Sequence, residues 1–386
     1  MNLFKGMMLG AAAVATATTA QAADLPVAPE PVDYVRICDA YGARFYYIPG
    51  TETCLRVGGR VRTQIQTGDL LGDDSDFAVR NNNGYSWLAR GSVRLDARTA
   101  TEMGTLRAYV AIDADATNGT NTNVKLDNGF IQWGGLVSGR LGSNFDIFTG
   151  QAFIGSANRD WSDTTLNQLA YTAAFGNGFS VTAALEDGTS RRVGLNAGAS
   201  IYGGTRMPDL VGALAVSQGW GSAQLSGAVR QLNPNSAYGD NHGYGWALGA
   251  GVGFNLDMLS SGSNIFFQGF YADGAMSYIG ASSTERGGTV VDFNAAGSKS
   301  KGWSLSSGIY YQATSTVGLA LDGSWMDVDN ATGTNDFRKY AIDGSVAWTP
   351  VSGLSIGADV GYSNTNVSAG TDTDDLRFGV RMERSF

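Results

Sequence analysis

The final stretch, Leu376-Arg-Phe-Gly-Val-Arg-Met-Glu-Arg-Ser-Phe386, constrains the fold of this chain more than any other. Read as an extended strand, Leu376, Phe378, Val380, Met382 and Phe386 fall on one face, with Arg384 the exception on that side. Arg377, Gly379, Arg381, Glu383 and Ser385 fall on the other, because successive side chains of a strand point to opposite sides. An apolar face closing on an aromatic residue, opposite a charged face, suits a strand with lipid on one side and water on the other.

The same alternation recurs along the chain. It predicts strands near 55–67, 85–99, 105–115, 126–134, 136–142, 168–175, 179–185 and 210–217, then 223–232, 244–254, 265–273, 303–312, 317–325, 340–348, 354–362 and the terminal stretch. Segment 126–134 alternates poorly, so its faces are weakly defined. Short turns fall near Thr101, Gly134, Asn177, Gly219, Ser261, Thr314 and Ser352, and the longest loops near 144–167, 187–206 and 274–301. Short turns on one rim and long loops on the other describe an all-β fold: a transmembrane antiparallel β-barrel of about 16 strands.

The N-terminus is consistent with export. Lys5 precedes an apolar or small-residue run from Met7 to Thr19, and Ala20-Gln21-Ala22 fits a signal-peptidase site. The run is shorter than the ~20 residues that a spanning helix needs. The expected organisation is a signal peptide over 1–22, an N-terminal segment over 23–53 and the barrel over 54–386. Cys38 and Cys54, closely spaced in an exported chain, are most simply a disulfide, with free thiols the alternative. The only histidine, His242, is far from them, so no metal site is expected. The acidic turn Asp73-Asp74-Ser75-Asp76 lacks the spacing of a calcium-binding EF-hand loop and reads as a solvated turn. The net charge of -9 argues against nucleic acid as a partner.

The arginines orient the faces. Arg90, Arg94 and Arg98 share one face of one strand. Near a bilayer midplane each would cost roughly 2–4 kcal/mol on the lipid side, enough together to consume the stability of a typical domain. That face must look inward, into a lumen that sixteen strands leave too wide for side chains to fill. Arg60, Arg62, Arg107, Arg140, Arg377 and Arg381 are assigned to the same polar face, and closure of the barrel puts the last strand beside the first. The nine arginines then form one basic wall. Like charges across strands need compensation, and the long loop from Ser143 to Asn167 could supply it through Asp146, Asp160 and Asp163 if it folds inward. The alternative is a solvated basic wall with local partners such as Asp96 and Asp113.

Val32-Asp-Tyr-Val-Arg-Ile-Cys38-Asp-Ala-Tyr-Gly, followed by Tyr47-Ile-Pro-Gly-Thr-Glu-Thr-Cys54-Leu-Arg-Val-Gly-Gly, resembles the start of the alphaproteobacterial outer-membrane porins, the group that includes the major porins of Brucella and rhizobia. Phe130-Ile-Gln-Trp-Gly-Gly and Phe145-Asp-Ile-Phe are similar to segments of the same family. The resemblance implies a sixteen-stranded homotrimer with an inward-folded third external loop. The expected function is passive diffusion of small hydrophilic solutes and ions, without catalysis or cofactor. A substrate-specific channel, for example a sugar-selective one, is the rival: it would line its path with lumen aromatics such as Tyr109, Tyr310, Phe266 and Phe270. An enzyme is disfavoured, because His242 and Asp240 fall in an expected external loop with no serine motif beside them. Acidic loops draw cations and the arginine wall draws anions, and the balance reads as weakly cation-selective. The other expected partners are outer-membrane lipid, lipopolysaccharide and the barrel assembly machinery, with Phe386 as the terminal assembly signal.

Overall fold

A computed structural model describes residues 36–386 apart from 73–74, 158, 197–198, 240–242, 286–287 and 334. The predicted signal peptide, the start of the N-terminal segment, the tip of the acidic turn, and Asp240 with His242 lie outside the described residues.

Sixteen strands close into a barrel: β1 (Cys54–Thr67), β2 (Tyr85–Thr101), β3 (Gly104–Thr117), β4 (Thr120–Trp133), β5 (Leu136–Gly142), β6 (Thr165–Gly176), β7 (Phe179–Glu186), β8 (Asp209–Gln218), β9 (Gly221–Gln231), β10 (Tyr244–Asn255), β11 (Asn264–Asp273), β12 (Lys301–Gln312), β13 (Val317–Asp329), β14 (Phe337–Val351), β15 (Leu354–Val367) and β16 (Thr373–Ser385). Each pairs antiparallel with the next. β16 closes on β1 in a register running from Arg60 opposite Ser385 to Gln66 opposite Gly379. Closure removes the free edges that an open sheet would expose to lipid.

The two faces are those the alternation predicts. On β2, Val93 is 52% exposed while its neighbour Ser92 is 4% exposed, so the apolar residue looks out and the polar one in. Outward charges keep to the rims. Arg338 pairs with Asp327 at the loop end of β14, and Arg384 reaches the Ser352 carbonyl at the other end. Rim placement fits the steep depth dependence of charge cost in lipid. Outward aromatics gather in two belts. Trp246 packs on Tyr271 (5.3 Å), Trp325 on Tyr340 (6.1 Å) and Tyr340 on Tyr362 (6.0 Å) toward the loop rim. Trp133, Trp220, Tyr311 and Trp348 ring the short-turn rim.

β4 begins at Thr120, earlier than the alternation suggests. Asn118 and Gly119, at φ 50° and 77°, form a two-residue turn of the kind that joins twisted strands most easily. Register shifts at Ala111/Ile112 and Asp115/Ala116 displace the side chains and blur the periodicity of β4.

The interior beside β6 to β11 is filled by loops. Several inward residues of β6 to β10 are small, among them Ala170, Ala184, Ala228 and Ala247. Loops 143–164, 187–208 and 274–300 use that room and bury Phe145, Trp161, Val193, Met276, Tyr278 and Ile279 in one cluster. Phe145 meets Tyr278 edge-on at 4.7 Å. Gly249 shows why a side chain is excluded beneath this packing: a Cβ there would stand 2.6 Å from the Phe270 ring. Asp292 ties the loops together, accepting from the backbone N–H of Val193 (3.0 Å) and Met276 (2.7 Å) and from the Tyr202 hydroxyl. Burial pushes its carboxyl above the ordinary carboxylate range.

The cysteines form the expected disulfide. It fastens a short hairpin, in which Tyr46–Tyr47 pairs with the start of β1, over the inner wall. Phe45 is buried there, with the guanidiniums of Arg56 and Arg98 at 5.1 and 5.0 Å from its ring.

Candidate functional site: the lumen wall and its inward loop

Eight of the nine predicted arginines are inward on β1, β2, β3 and β16, adjoining strands of the closed barrel. Their partners are mostly local. Arg90 binds Asp115 through Nε (2.6 Å) and Nη2 (2.8 Å) and stands 3.3 Å from Asp113. Arg98 and Arg107 share Asp96, at 2.8 and 2.9 Å, with Arg56 at 3.6 Å. Arg62 and Arg60 share Glu383, at 2.7 and 3.5 Å. Arg377 pairs with Asp375 at 2.9 Å. Arg381 donates to Gln64 (2.8 Å) and to the Phe153 carbonyl. Arg94, partly exposed, has no carboxylate within 4.0 Å and no hydrogen bond among the described residues.

The ninth, Arg140, is placed differently. It sits opposite Asn167, in parity with the pairs Ser138–Leu169 and Leu136–Tyr171, whose apolar members are outward. Arg140 therefore belongs to the outward side, at the end of β5 that leads into loop 143–164, where its Nε donates to the Leu126 carbonyl at 3.1 Å. The parity with Leu136 was visible in the sequence.

Loop 143–164 runs inward across the lumen and is held against the far wall by its own backbone. Asp322 on β13 accepts the N–H of Gln151 (2.8 Å) and Ala152 (2.8 Å). Ser345 on β14 accepts that of Phe153 (2.9 Å). Asp359 on β15 accepts those of Ile154 (3.3 Å), Gly155 (3.2 Å) and Ser156 (3.0 Å), and Asp343 on β14 that of Ala157 (2.8 Å). A lone carboxylate in such a place would be costly. Converging N–H donors engage both oxygens of Asp322 and Asp359 and leave none of these peptide groups unpaired, whereas Asp343 accepts through Oδ2 and its buried Oδ1 has no hydrogen-bond partner among the described residues. Arg159 adds an ion pair with Asp322 at 2.7 Å.

This anchorage corrects the acidic loop as drawn from the sequence. Asp160 is fully buried, 2.8 Å from the Lys339 ammonium and 3.0 Å from the Ser324 hydroxyl. Asp146 is bound by Arg191 (2.8 Å), by the Thr164 N–H (2.7 Å) and by Ser162. Both carboxylates are spent on holding the loop, so neither faces the basic wall. Asp163 is the exposed member of the three. The anchoring carboxylates Asp322, Asp343 and Asp359 escaped the sequence reading. Their signal was the repeated Asp-Gly-Ser at 322–324 and 343–345, which puts Asp and Ser at inward positions of neighbouring strands.

The comparisons agree with this architecture. The model of the Porin subfamily matches residues 24–379. Porin Omp2b of Brucella abortus (strain 2308) is 33% identical, over all of this chain and all of that porin; its counterpart in Brucella suis biovar 1 (strain 1330) is equally similar. Among solved structures, the outer membrane channel DcaP of Acinetobacter baumannii superposes with a TM-score of 0.73 at 17% identity, covering 88% of this chain and 99% of that one. A lumen walled by arginines, an inward loop and a full-length match to porins converge on one conclusion: the chain belongs to the porin family and forms a channel, not an enzyme, in the bacterial outer membrane.

Proposed function

We propose that the chain forms a water-filled path for passive diffusion of small hydrophilic solutes and ions, narrowest where loop 143–164 faces the arginine wall of β1, β2, β3 and β16. The observation that carries this reading is the row of backbone N–H bonds fixing 151–157 to the far wall, which keeps the loop inside the lumen. A restraint of this kind sets a size limit without binding any one solute. The boundary of the constriction is basic on one side and, on the other, loop backbone together with Phe148, Phe153 and Ile154. Phe266 and Phe270, which a sugar track would need, are buried beneath the loops and do not support the substrate-specific reading.

The functional unit in this reading is a homotrimer of exported, signal-cleaved chains, with the barrel starting at 54 after the cystine segment. Lipopolysaccharide surrounds it, and the assembly machinery reads the strand ending in Phe386. Ala89, Gly91, Ala114 and Ala116 form a shallow outward patch on β2 and β3 where other strands carry Leu or Trp, which supports close approach of a second copy there. Planar-bilayer conductance together with liposome swelling tests the diffusion reading. Uptake should fall smoothly with solute size and not saturate. Saturable flux of one solute class would replace it with a specific channel.

A further inference from the structure

The charge balance of the inner wall is uneven. Arg56, Arg98 and Arg107 converge on Asp96 alone, and Arg60 and Arg62 on Glu383 alone. Arg94 has no carboxylate, and Arg381 is held by an amide and a carbonyl oxygen. Asp113 and Asp115 both pair with Arg90, Asp113 also accepting from the Ser92 hydroxyl at 2.6 Å and Asp115 standing 4.0 Å from Lys125, and Asp359 is occupied by loop N–H groups. The register orders the under-compensated groups. Arg94 lies opposite Gly58, Arg60 and Arg62 follow on β1, and Arg381 lies opposite Gln64. Side chains on one face of a strand repeat about every 7 Å. The four arginines therefore succeed one another along the wall from the cystine side toward the loop rim, and among the described residues Glu383 is the one side-chain carboxylate within 4.0 Å of any of them.

We propose that this row is an anion ladder: it takes small oxyanions, carboxylate or phosphate, passes them from one guanidinium to the next, and makes the channel prefer anions to cations. The inference rests on the diffusion reading above and reverses the cation preference suggested by the acidic composition. The planar fork of arginine matches two oxygens of a carboxylate or phosphate. A row of incompletely paired forks offers binding strong enough to admit an anion. Its several near-equivalent positions let the anion leave again, as conduction requires. Gly58, opposite Arg94, carries no side chain, and the Phe386 main-chain oxygen stands 3.2 Å from where its Cβ would be. The carboxylates that could have opposed the ladder from loop 143–164, Asp146 and Asp160, are bound elsewhere.

The test uses the full-length channel in planar bilayers. Under a potassium chloride gradient the wild type should show a reversal potential of anion sign, and inorganic phosphate or citrate should reduce the chloride current in a saturable way. Arg60→Gln with Arg94→Gln should move the reversal potential toward cations and raise the half-blocking concentration about tenfold, since hydrogen bonds to charged groups are worth at least that factor. Arg60→Lys should keep the selectivity and lose part of the block, because it retains charge without the fork. Arg140→Gln, outward, should change neither. A conducting wild type that prefers potassium, or a block unaltered in the double variant, overturns the ladder while leaving the diffusion path intact. A wild type that inserts but does not conduct removes the diffusion reading itself, and the ladder with it.

Discussion

At Asp160 a carboxylate of the inward loop is withdrawn from water and bound to Lys339 and Ser324. Asp160→Asn should remove the carboxylate charge that the buried Lys339 ammonium meets at 2.8 Å, and breaking such a buried pair costs up to about 3–5 kcal/mol. Because the side chain does not face the open path, the reversal potential should hardly move. Thermal dissociation and bilayer recording on the same preparation check both halves, and a large selectivity shift without loss of stability would put Asp160 in the field of the pore. A second residue, Gly59, controls the seam of the barrel. It exchanges both main-chain hydrogen bonds with Phe386, at 3.0 and 3.2 Å. A Cβ at Gly59 would stand 2.4 Å from the Ser92 carbonyl oxygen and 2.8 Å from the Phe386 ring. Gly59→Ala and deletion of Phe386 should both lower the yield of closed barrel, measured as heat-modifiable protein in outer membranes. Normal yields of both would separate the seam from assembly.

Among the elements, loop 143–164 is fixed to the barrel wall itself by main-chain donors as well as by apolar contacts. Asp359→Ala would orphan the N–H groups of Ile154, Gly155 and Ser156, at a cost of roughly 1–3 kcal/mol for each that stays dry. The loop should then leave its seat for part of the time. Single-channel conductance should rise and become noisy, and the size cut-off in swelling assays should soften. Unchanged conductance would mean that the neighbouring anchors at Asp322 and Asp343 suffice. The N-terminal hairpin is held differently, by a covalent link between Cys38 and Cys54 with a sequence separation of 16. For a loop near this length the chain-entropy model gives about 3 kcal/mol. Replacing both cysteines with alanine should free the hairpin from Phe45 and its arginines before the barrel melts. Limited proteolysis of 36–53 would detect this, and equal resistance of the two proteins would show that the aromatic contacts alone hold it.

For the whole molecule, stability comes from closure. Every strand from β1 to β16 has two partners, so unfolding cannot begin by peeling an edge. Unheated protein should migrate in detergent gels as a compact assembly of trimer mass, and boiling should convert it to the monomer. A monomer mass in the unheated sample by light scattering would remove the homotrimer. The outward patch around Gly91 would then face lipid rather than a second copy. The interior is divided: loops cover the wall of β6 to β10, while the arginine wall of β1, β2, β3 and β16 meets the N-terminal hairpin at Arg56 and Arg98 and the tip of loop 143–164 at Arg381.

The sequence by itself determined the barrel, its strand count and the inward face of the arginines on β1 to β3 and β16. Period-two alternation is a local property, and each strand has lipid on one side and polar surroundings on the other, so a wrong face would bring charges into hydrocarbon. The same logic already contained the outward parity of Arg140 and the Asn118-Gly119 turn. What the tertiary structure alone decided is which carboxylates are left to oppose the arginines. Asp146 and Asp160 have the composition of a pore-lining pair, yet Arg191 and Lys339, distant in the chain, claim them. Asp322, Asp343 and Asp359 look like further lumen charges, yet they are capped by the backbone of a loop some two hundred residues away in the sequence. Charge neutralisation depends on partners within about 4 Å, and only the folded chain brings those partners together.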